Sequence, residues 1–175
     1  MSRIIGLYSA APCSGKTTVA RLIGGEVISF AAPIKHMTAH VLCELGYPGW
    51  EIVTDDKESK IPGLGVSARQ MMQTLGTEWG RSCVHPDLWV KIAESKAKSL
   101  LKKDCIVVFD DVRFPNEIDT IRTLGGEMWL IDRPGVDYAG SHASEGSLSD
   151  IVPDALIVNS GTIKELEVIV SELMR

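Results

Sequence analysis

The chain has 175 residues, 45% hydrophobic and 23% charged, with 16 Gly and 8 Pro, which fits one compact domain with room for a modest insertion and excludes disordered, collagenous and repeat architectures. Its 18 Lys and Arg against 23 Asp and Glu leave a net charge of −5, which excludes the broad basic surface that grips duplex DNA by its phosphates, so no nucleic-acid polymer is expected as partner. Cys13, Cys43, Cys83 and Cys105 form no C-x-x-C pair, and the apolar run at the N terminus, Ile4 to Tyr8, is too short for a signal-peptide core or a membrane span; neither zinc, disulfides nor a membrane is expected, and a reducing cytoplasm fits best.

In chain order, Ile4 to Tyr8 has a strand's length and no helical period. SAAPCSGKTT, Ser9 to Thr18, follows it directly and leads into a helical pattern at Thr17 to Ile23. Gly15, Lys16 and Thr17 complete the pattern G-x-x-x-x-G-K-[ST], whose chemistry is phosphate binding. Backbone N–H groups at a helix N terminus point at an anion, Lys16 can reach the β- and γ-phosphates of ATP, and the Thr17 hydroxyl can serve Mg²⁺. The candidate ATP cradle is therefore Ala11, Pro12, Cys13, Ser14, Gly15, Lys16, Thr17 and Thr18, with Cys13 a small filler rather than a reactive thiol. The first glycine of the pattern falls at Ala10, which keeps the loop only if that residue needs neither positive φ nor the closest phosphate approach.

Val27 to Phe30 is a weaker strand pattern and Pro33 to Leu45 a helical one; Gly46 to Val66, rich in Pro, Gly and Asp, reads as a mobile surface segment. Ser67 to Trp79 is helical, with Ala68, Met72, Leu75 and Trp79 on one face. On a second stripe, Arg69, Gln73, Gly76 and Gly80 follow at spacings of four, three and four. Two glycines on one stripe suit close approach by a ligand or another backbone, with Arg69 gripping a phosphate and Gln73 reading a base edge. A solvated face whose helix frays at Gly76 fits the spacing equally well. Pro86 to Lys103 is helical with Pro86 in its first turn. His36, His40 and His85 lack partners at metal-ligand spacing and read as cap, core or surface residues; Trp50, Trp79, Trp89 and Trp129 read as core or interface aromatics.

Cys105 to Phe109 forms an apolar strand running into Asp110 and Asp111. A carboxylate at that place is how P-loop proteins hold the Mg²⁺ shell; Asp110 is the first choice, and Asp111, pointing to the opposite face, is left to orient a substrate group. Pro115 to Leu124 is helical with a stop at Gly125 and Gly126, Met128 to Ile131 is a strand, and Arg133 to Pro153 is a second mobile surface segment. Ala155 to Val158 is a weak strand, and Thr162 and Glu165 have capping-box spacing ahead of a helix at Ile163 to Met174. Apolar strands alternating with helices give an α/β class with a parallel sheet covered on both faces.

With these residues in view, the sequence resembles the bacteriophage deoxynucleoside monophosphate kinases, a branch of the P-loop nucleoside monophosphate kinase fold. The resemblance rests on SGKTT at Ser14 to Thr18, SARQMMQTLGTEWGR at Ser67 to Arg81 with DLWV at Asp87 to Val90, DDVRFPNE at Asp110 to Glu117, and HASE at His142 to Glu145. It implies a single P-loop kinase domain with a five-stranded parallel sheet, a helical monophosphate-binding insertion at about 33–103 and a lid at about 133–153. It also implies that Arg69, Gln73, Arg81 and Arg113 surround the acceptor nucleotide and that Arg133 neutralises the transferring phosphoryl group. The expected reaction takes the γ-phosphoryl group of ATP, with Mg²⁺, to a deoxynucleoside monophosphate. Its rivals are a P-loop kinase for another small acceptor such as dephospho-coenzyme A or a nucleoside, a P-loop NTPase switch, and a nucleotide-binding module without catalysis. Base choice and assembly, including a homodimer, are not set by these residues.

Overall fold

A computed structural model describes residues 2–11, 13–135 and 151–175, and the chain divides into two compact units, Met1–Ser29 with Ala93–Arg175, and Phe30–Ile92. The first is built on five strands, β1 (Arg3–Tyr8), β2 (Glu26–Ile28), β3 (Ile106–Phe109), β4 (Glu127–Asp132) and β5 (Ala155–Val158), all parallel, in the order β2-β3-β1-β4-β5. The P-loop architecture expected from the sequence is present, with β1 at its centre, where five consecutive residues are buried. The edges depart from the expected burial on both faces. Val27 in β2 and Leu156 and Val158 in β5 are about half exposed, because an edge strand has a neighbour on one side only.

Helices α1 (Lys16–Ile23) and α7 (Ile163–Leu173) cover one face of the sheet. Ile5, Leu7, Val108, Trp129, Ile131 and Ile157 meet Val19, Ala20, Ile23, Leu166 and Val170 there. Each large aliphatic side chain buried in this cluster contributes about 1.5–3 kcal/mol. Helix α6 (Pro115–Thr123) packs on β1 and β4. It starts at Pro115 and stops where Gly126 N–H reaches the Ile121 carbonyl at 2.8 Å, as the glycine pair predicts. The capping box of α7 also forms: Glu165 N–H reaches Thr162 Oγ1 at 3.3 Å and Thr162 N–H reaches Glu165 Oε2 at 2.6 Å. The Thr162 N–H and, at 3.0 Å, the Thr162 hydroxyl donate to the exposed Glu165 carboxylate and hold it below its ordinary range.

The second unit is helical: α2 (Ala32–Glu44), α3 (Gly49–Asp55), α4 (Ala68–Thr74), a π-helical continuation of α4 over Leu75–Val84, and the start of α5 (Leu88–Leu101). Its core is Ala39, Leu42, Val53, Ile61 and Ala68, with Met71 and Met72 packed against it. Two expectations are corrected here. Gly46 to Val66 is not a loose surface segment: it contains α3, Val53 and Ile61 are buried, and Ile61 N–H pairs with the Val66 carbonyl at 2.9 Å. Pro48, Gly49, Asp55 and Asp56 gave a seven-residue helix a turn's composition, while the apolar residues that fix it are few and widely spaced. Pro86 precedes α5 instead of lying in its first turn, and the His85 ring accepts from Asp87 N–H at 3.0 Å in that turn. Trp89 and Trp129 are buried as expected of core aromatics, whereas Trp50 and Trp79 are about half exposed.

Of the second expected surface segment, residues 136–150, with the HASE motif and most of the expected lid, lie outside the described residues. Its end is pinned: the Tyr8 hydroxyl donates to the Ile151 carbonyl at 3.4 Å, and Arg122 pairs with Asp154. Among the described residues no helix is long and apolar enough to cross a membrane.

Candidate nucleotide site

Strand β1 ends at the middle of the sheet, between β3 and β4, and the chain's next turn lies at the carboxyl edge where open parallel sheets bind ligands. Gly15, the cap of α1, has φ 106° and ψ 10°, a conformation open to glycine at little strain. Glycine has no side chain to accept from the first N–H groups of α1, and a helix N terminus capped in this way can present its donors to an anion. Lys16 folds back over the loop, its ammonium donating to Ser9 Oγ and, at 3.4 Å, to Ser14 Oγ. Ser9 in turn donates to the Ala11 carbonyl at 2.8 Å; Ser14 is buried, Thr18 half-buried and Thr17 exposed. Ala10 is not among the residues with positive φ, while Cys13, φ 56°, is. The left-handed turn of this loop therefore falls at Cys13 and Gly15, and the first of the two conditions on Ala10 is met. Pro12 lies outside the described residues.

Two side chains from neighbouring strand ends hold the loop by its carbonyls. Arg133, one residue past β4, donates from Nη1 to the Cys13 carbonyl at 3.1 Å. Asn159, one residue past β5, donates from Nδ2 to the Ser14 carbonyl at 2.8 Å, and its own N–H reaches the Asp132 carbonyl at 2.7 Å. Asn159 was not anticipated. The only signal for it is topological, a polar residue ending a parallel strand at the same edge as the loop.

The register Gly6 to Phe109 puts Asp110 level with Leu7, on the strand beside the one that carries the loop. Its carboxylate is half-buried and accepts from the Ser29 hydroxyl, while its N–H reaches the Ile28 carbonyl at 3.3 Å. Asp111 is half-buried and Arg113 exposed. The turn that carries them is fixed by a second unanticipated residue, Glu117. This side chain is 2% exposed, and its Oε2 accepts from the N–H groups of Arg113 at 2.7 Å and Phe114 at 3.1 Å. Among the described residues no three His, Cys, Asp or Glu side chains gather to hold a metal ion. The donors at hand, a Thr17 hydroxyl and an Asp110 carboxylate, are hard oxygens, which fits a Mg²⁺ ion that takes its other ligands from phosphate and water.

In the helical unit, Ser67 caps α4 by accepting from Gln70 N–H at 3.2 Å. Arg69 Nε lies 3.5 Å from Glu58 Oε1, Gln73 is half-buried, and Arg81 Nη1 donates to the Pro86 carbonyl at 3.3 Å. The single stripe read from spacing does not survive intact. Beyond Thr74 the turn widens to i→i+5 bonding, visible where His85 N–H reaches the Gly80 carbonyl at 3.0 Å, so α-helical spacing no longer sets the faces. Gly76 and Gly80 are buried, which removes the frayed, solvated face. Their neighbour is a side chain: a Cβ on Gly80 would lie 2.7 Å from Cε2 and Nε1 of Trp89, and Trp89 Nε1 donates to the Gly76 carbonyl at 2.8 Å. Gly80 makes room for an indole, while a Cβ on Gly76 would stand 3.0 Å from Ile34 Cδ1; spacing alone could not tell either approach from that of a ligand. A cavity of about 430 Å³ between α2 and α4, lined by Met37, Val41, Gln70, Met71 and Trp79 among others, includes none of the acceptor residues expected from the sequence.

A family model described as deoxynucleotide monophosphate kinase matches residues 50–170. The chain is 31% identical, over 87% of its own length and 86% of the relative's, to a protein of Acanthamoeba polyphaga mimivirus whose name assigns it to the deoxynucleotide monophosphate kinases. It is 40% identical to the deoxynucleoside-5′-monophosphate kinase of Escherichia phage T5 over 41% of this chain and 28% of that one, so it spans well under half of this phage relative. Among solved structures, a dephospho-CoA kinase from Campylobacter jejuni superposes with a TM-score of 0.53 at 14% identity, covering 99% of this chain and 96% of that one; this likeness bears on fold alone. The chain belongs to the deoxynucleotide monophosphate kinase family.

Proposed function

We propose that this chain transfers the γ-phosphoryl group of ATP to the 5′-phosphate of a deoxynucleoside monophosphate, giving ADP and the diphosphate. The observation that carries the reading is the glycine-capped start of α1 with the Lys16 ammonium folded over it, in a chain of this family. Ala11 to Thr18 cradle the triphosphate, and Lys16 exchanges its contacts with Ser9 and Ser14 for phosphate oxygens. Arg133, already at the Cys13 carbonyl, neutralises the phosphoryl group in transit. Thr17 and Asp110 hold Mg²⁺, which when bound neutralises charge on the phosphates. The acceptor is taken by Arg69, Gln73, Arg81, Asp111 and Arg113, and the segment at about 33–103 is read as the monophosphate-binding insertion. No protein nucleophile is required, because the acceptor phosphate already carries an oxygen anion; in-line positioning and charge neutralisation do the rest. Residues 133–153 are read as the lid and the cytoplasm as the place of action.

Radiolabelled ATP incubated with each of the four deoxynucleoside monophosphates and their ribose counterparts tests the reading, with Lys16→Ala as control. Label is expected in at least one deoxynucleoside diphosphate and to be lost in the variant. Transfer only to dephospho-coenzyme A or a nucleoside would overturn it, as would ATP hydrolysis indifferent to any acceptor.

A further inference from the structure

We propose that Asn159 is a positioning residue for the phosphate loop, holding the Ser14 carbonyl so that the loop's N–H groups face the polyphosphate of the nucleotide; this rests on reading Ser9 to Thr18 as the triphosphate site. In a planar trans peptide the carbonyl and the next residue's N–H point to opposite sides, and no described peptide bond is cis. Drawing the Ser14 carbonyl to Asn159 Nδ2 at 2.8 Å therefore turns the Gly15 N–H away from Asn159. Drawing the Cys13 carbonyl to Arg133 at 3.1 Å does the same for the Ser14 N–H. Two successive amides are thus aimed by side chains from two strand ends. The two clamps share an anchor, since the Asn159 N–H is bonded at 2.7 Å to the carbonyl of Asp132, the residue before Arg133.

Asn159 and Gly15 also fit each other sterically. A Cβ on Gly15 would stand 2.5 Å from Asn159 Nδ2, so the glycine is required by the partner as well as by its φ of 106°. An amide suits this place better than a charged group would. It donates to the carbonyl without adding a cation that competes with Lys16 or an anion that repels phosphate. Arg133 differs in having a charge to offer the nucleotide directly; Asn159 acts through Ser14 and Gly15.

The test is calorimetric titration of the full chain, its Asn159→Ala and Asn159→Ser variants and Lys16→Ala with ADP and with inorganic tripolyphosphate, which has no base or sugar. Melting midpoints and the acceptor KM are measured alongside. Both Asn159 variants should lose about 5- to 10-fold in affinity for both ligands, the worth of one hydrogen bond, with the acceptor KM within about twofold of the unaltered chain. A loss confined to ADP would place Asn159 on the nucleoside and overturn the proposal. Unchanged tripolyphosphate affinity in both variants would do so too, as would failure of both to fold, which would make the role purely structural. Should Lys16→Ala also bind normally, the reading of the loop itself is wrong; should it alone be weakened, only the role of Asn159 is.

Discussion

Replacing Gly80 by Ala sets the indole of Trp89 against the backbone it packs on. The added methyl would lie 2.7 Å from two ring atoms, Cε2 and Nε1, and closer still to Cζ2, whereas comfortable carbon contacts are about 3.5–4 Å. The ring would have to retreat by roughly 1 Å. It is 2% exposed, and its N–H is bonded to the Gly76 carbonyl at 2.8 Å, so a shift of that size breaks the bond and strands both partners. Overpacking costs about 1–3 kcal/mol and the stranded pair about 1–3 more, against about 1 kcal/mol gained from alanine's helix propensity. The expected net loss is about 3 kcal/mol, or about 6–12 °C in Tm for a chain of this size. Thermal unfolding followed by circular dichroism measures it. Combining Gly80→Ala with Trp89→Phe, which shrinks the ring, should give less than the sum of the two single losses. A Tm within about 2 °C of the unaltered chain, together with a raised acceptor KM, would refute the packing argument and return Gly80 to the ligand.

Three further outcomes follow from the site and the sheet. Arg69→Ala should raise the acceptor KM about 10- to 100-fold, the worth of a charged hydrogen bond to phosphate, with the KM for ATP unchanged; an unchanged acceptor KM removes Arg69 from the site. Asp110→Asn should lower kcat about 10- to 100-fold, with partial recovery at high Mg²⁺; full activity at low Mg²⁺ would remove Asp110 from the metal shell. Glu127 accepts from Arg3 at 3.0 and 2.9 Å and from Trp129 Nε1 at 3.0 Å, and the Arg3 bonds chiefly hold its carboxyl below the ordinary 4.5. The folded carboxylate gives up its proton more readily than the unfolded one. Its stabilisation is therefore present above the unfolded value and is lost as pH falls through the folded one. The Tm gap between the unaltered chain and Glu127→Gln should accordingly close as pH drops from neutral into that acid range; a gap independent of pH would show that ionisation of Glu127 is not its source.

What was legible in the sequence follows the range of each signal. The glycine-capped turn from β1 into α1, the α6 and α7 boundaries and the central strands rest on neighbours within a few residues, so spacing and cap chemistry found them. Helix α3 was hidden because seven residues between Pro48 and Asp56 cannot show a helical period. The widened turn after Thr74 was invisible for the opposite reason: its residues fit an α-helix well, and the departure reflects packing around Trp89, nine residues beyond Gly80. Asn159 and Glu117 lie furthest from local reading. Each is an ordinary polar residue whose role appears only once a loop carbonyl 145 positions away, or a backbone turn, is brought against it.

Ala10 shows how a motif's letters stand for backbone conformations and not for residue types as such. The pattern has glycine at both ends of the loop, but here only the second end needs it: Gly15 has φ 106° and no room for a Cβ beside Asn159, while Ala10 is outside the positive-φ residues. Gly15→Ala would force an L side chain into that conformation, costing about 1–3 kcal/mol before the clash with Asn159 is counted, and should weaken ATP binding by roughly tenfold or more. Ala10→Gly removes no strain, because none is stored there, and should leave the KM for ATP within about threefold. The second condition on Ala10, that the nucleotide does not approach it closely, is what this variant reads. If Ala10→Gly tightened ATP tenfold, the methyl group would be standing where a phosphate oxygen comes to rest, and the loop would be making its phosphate contacts from both ends.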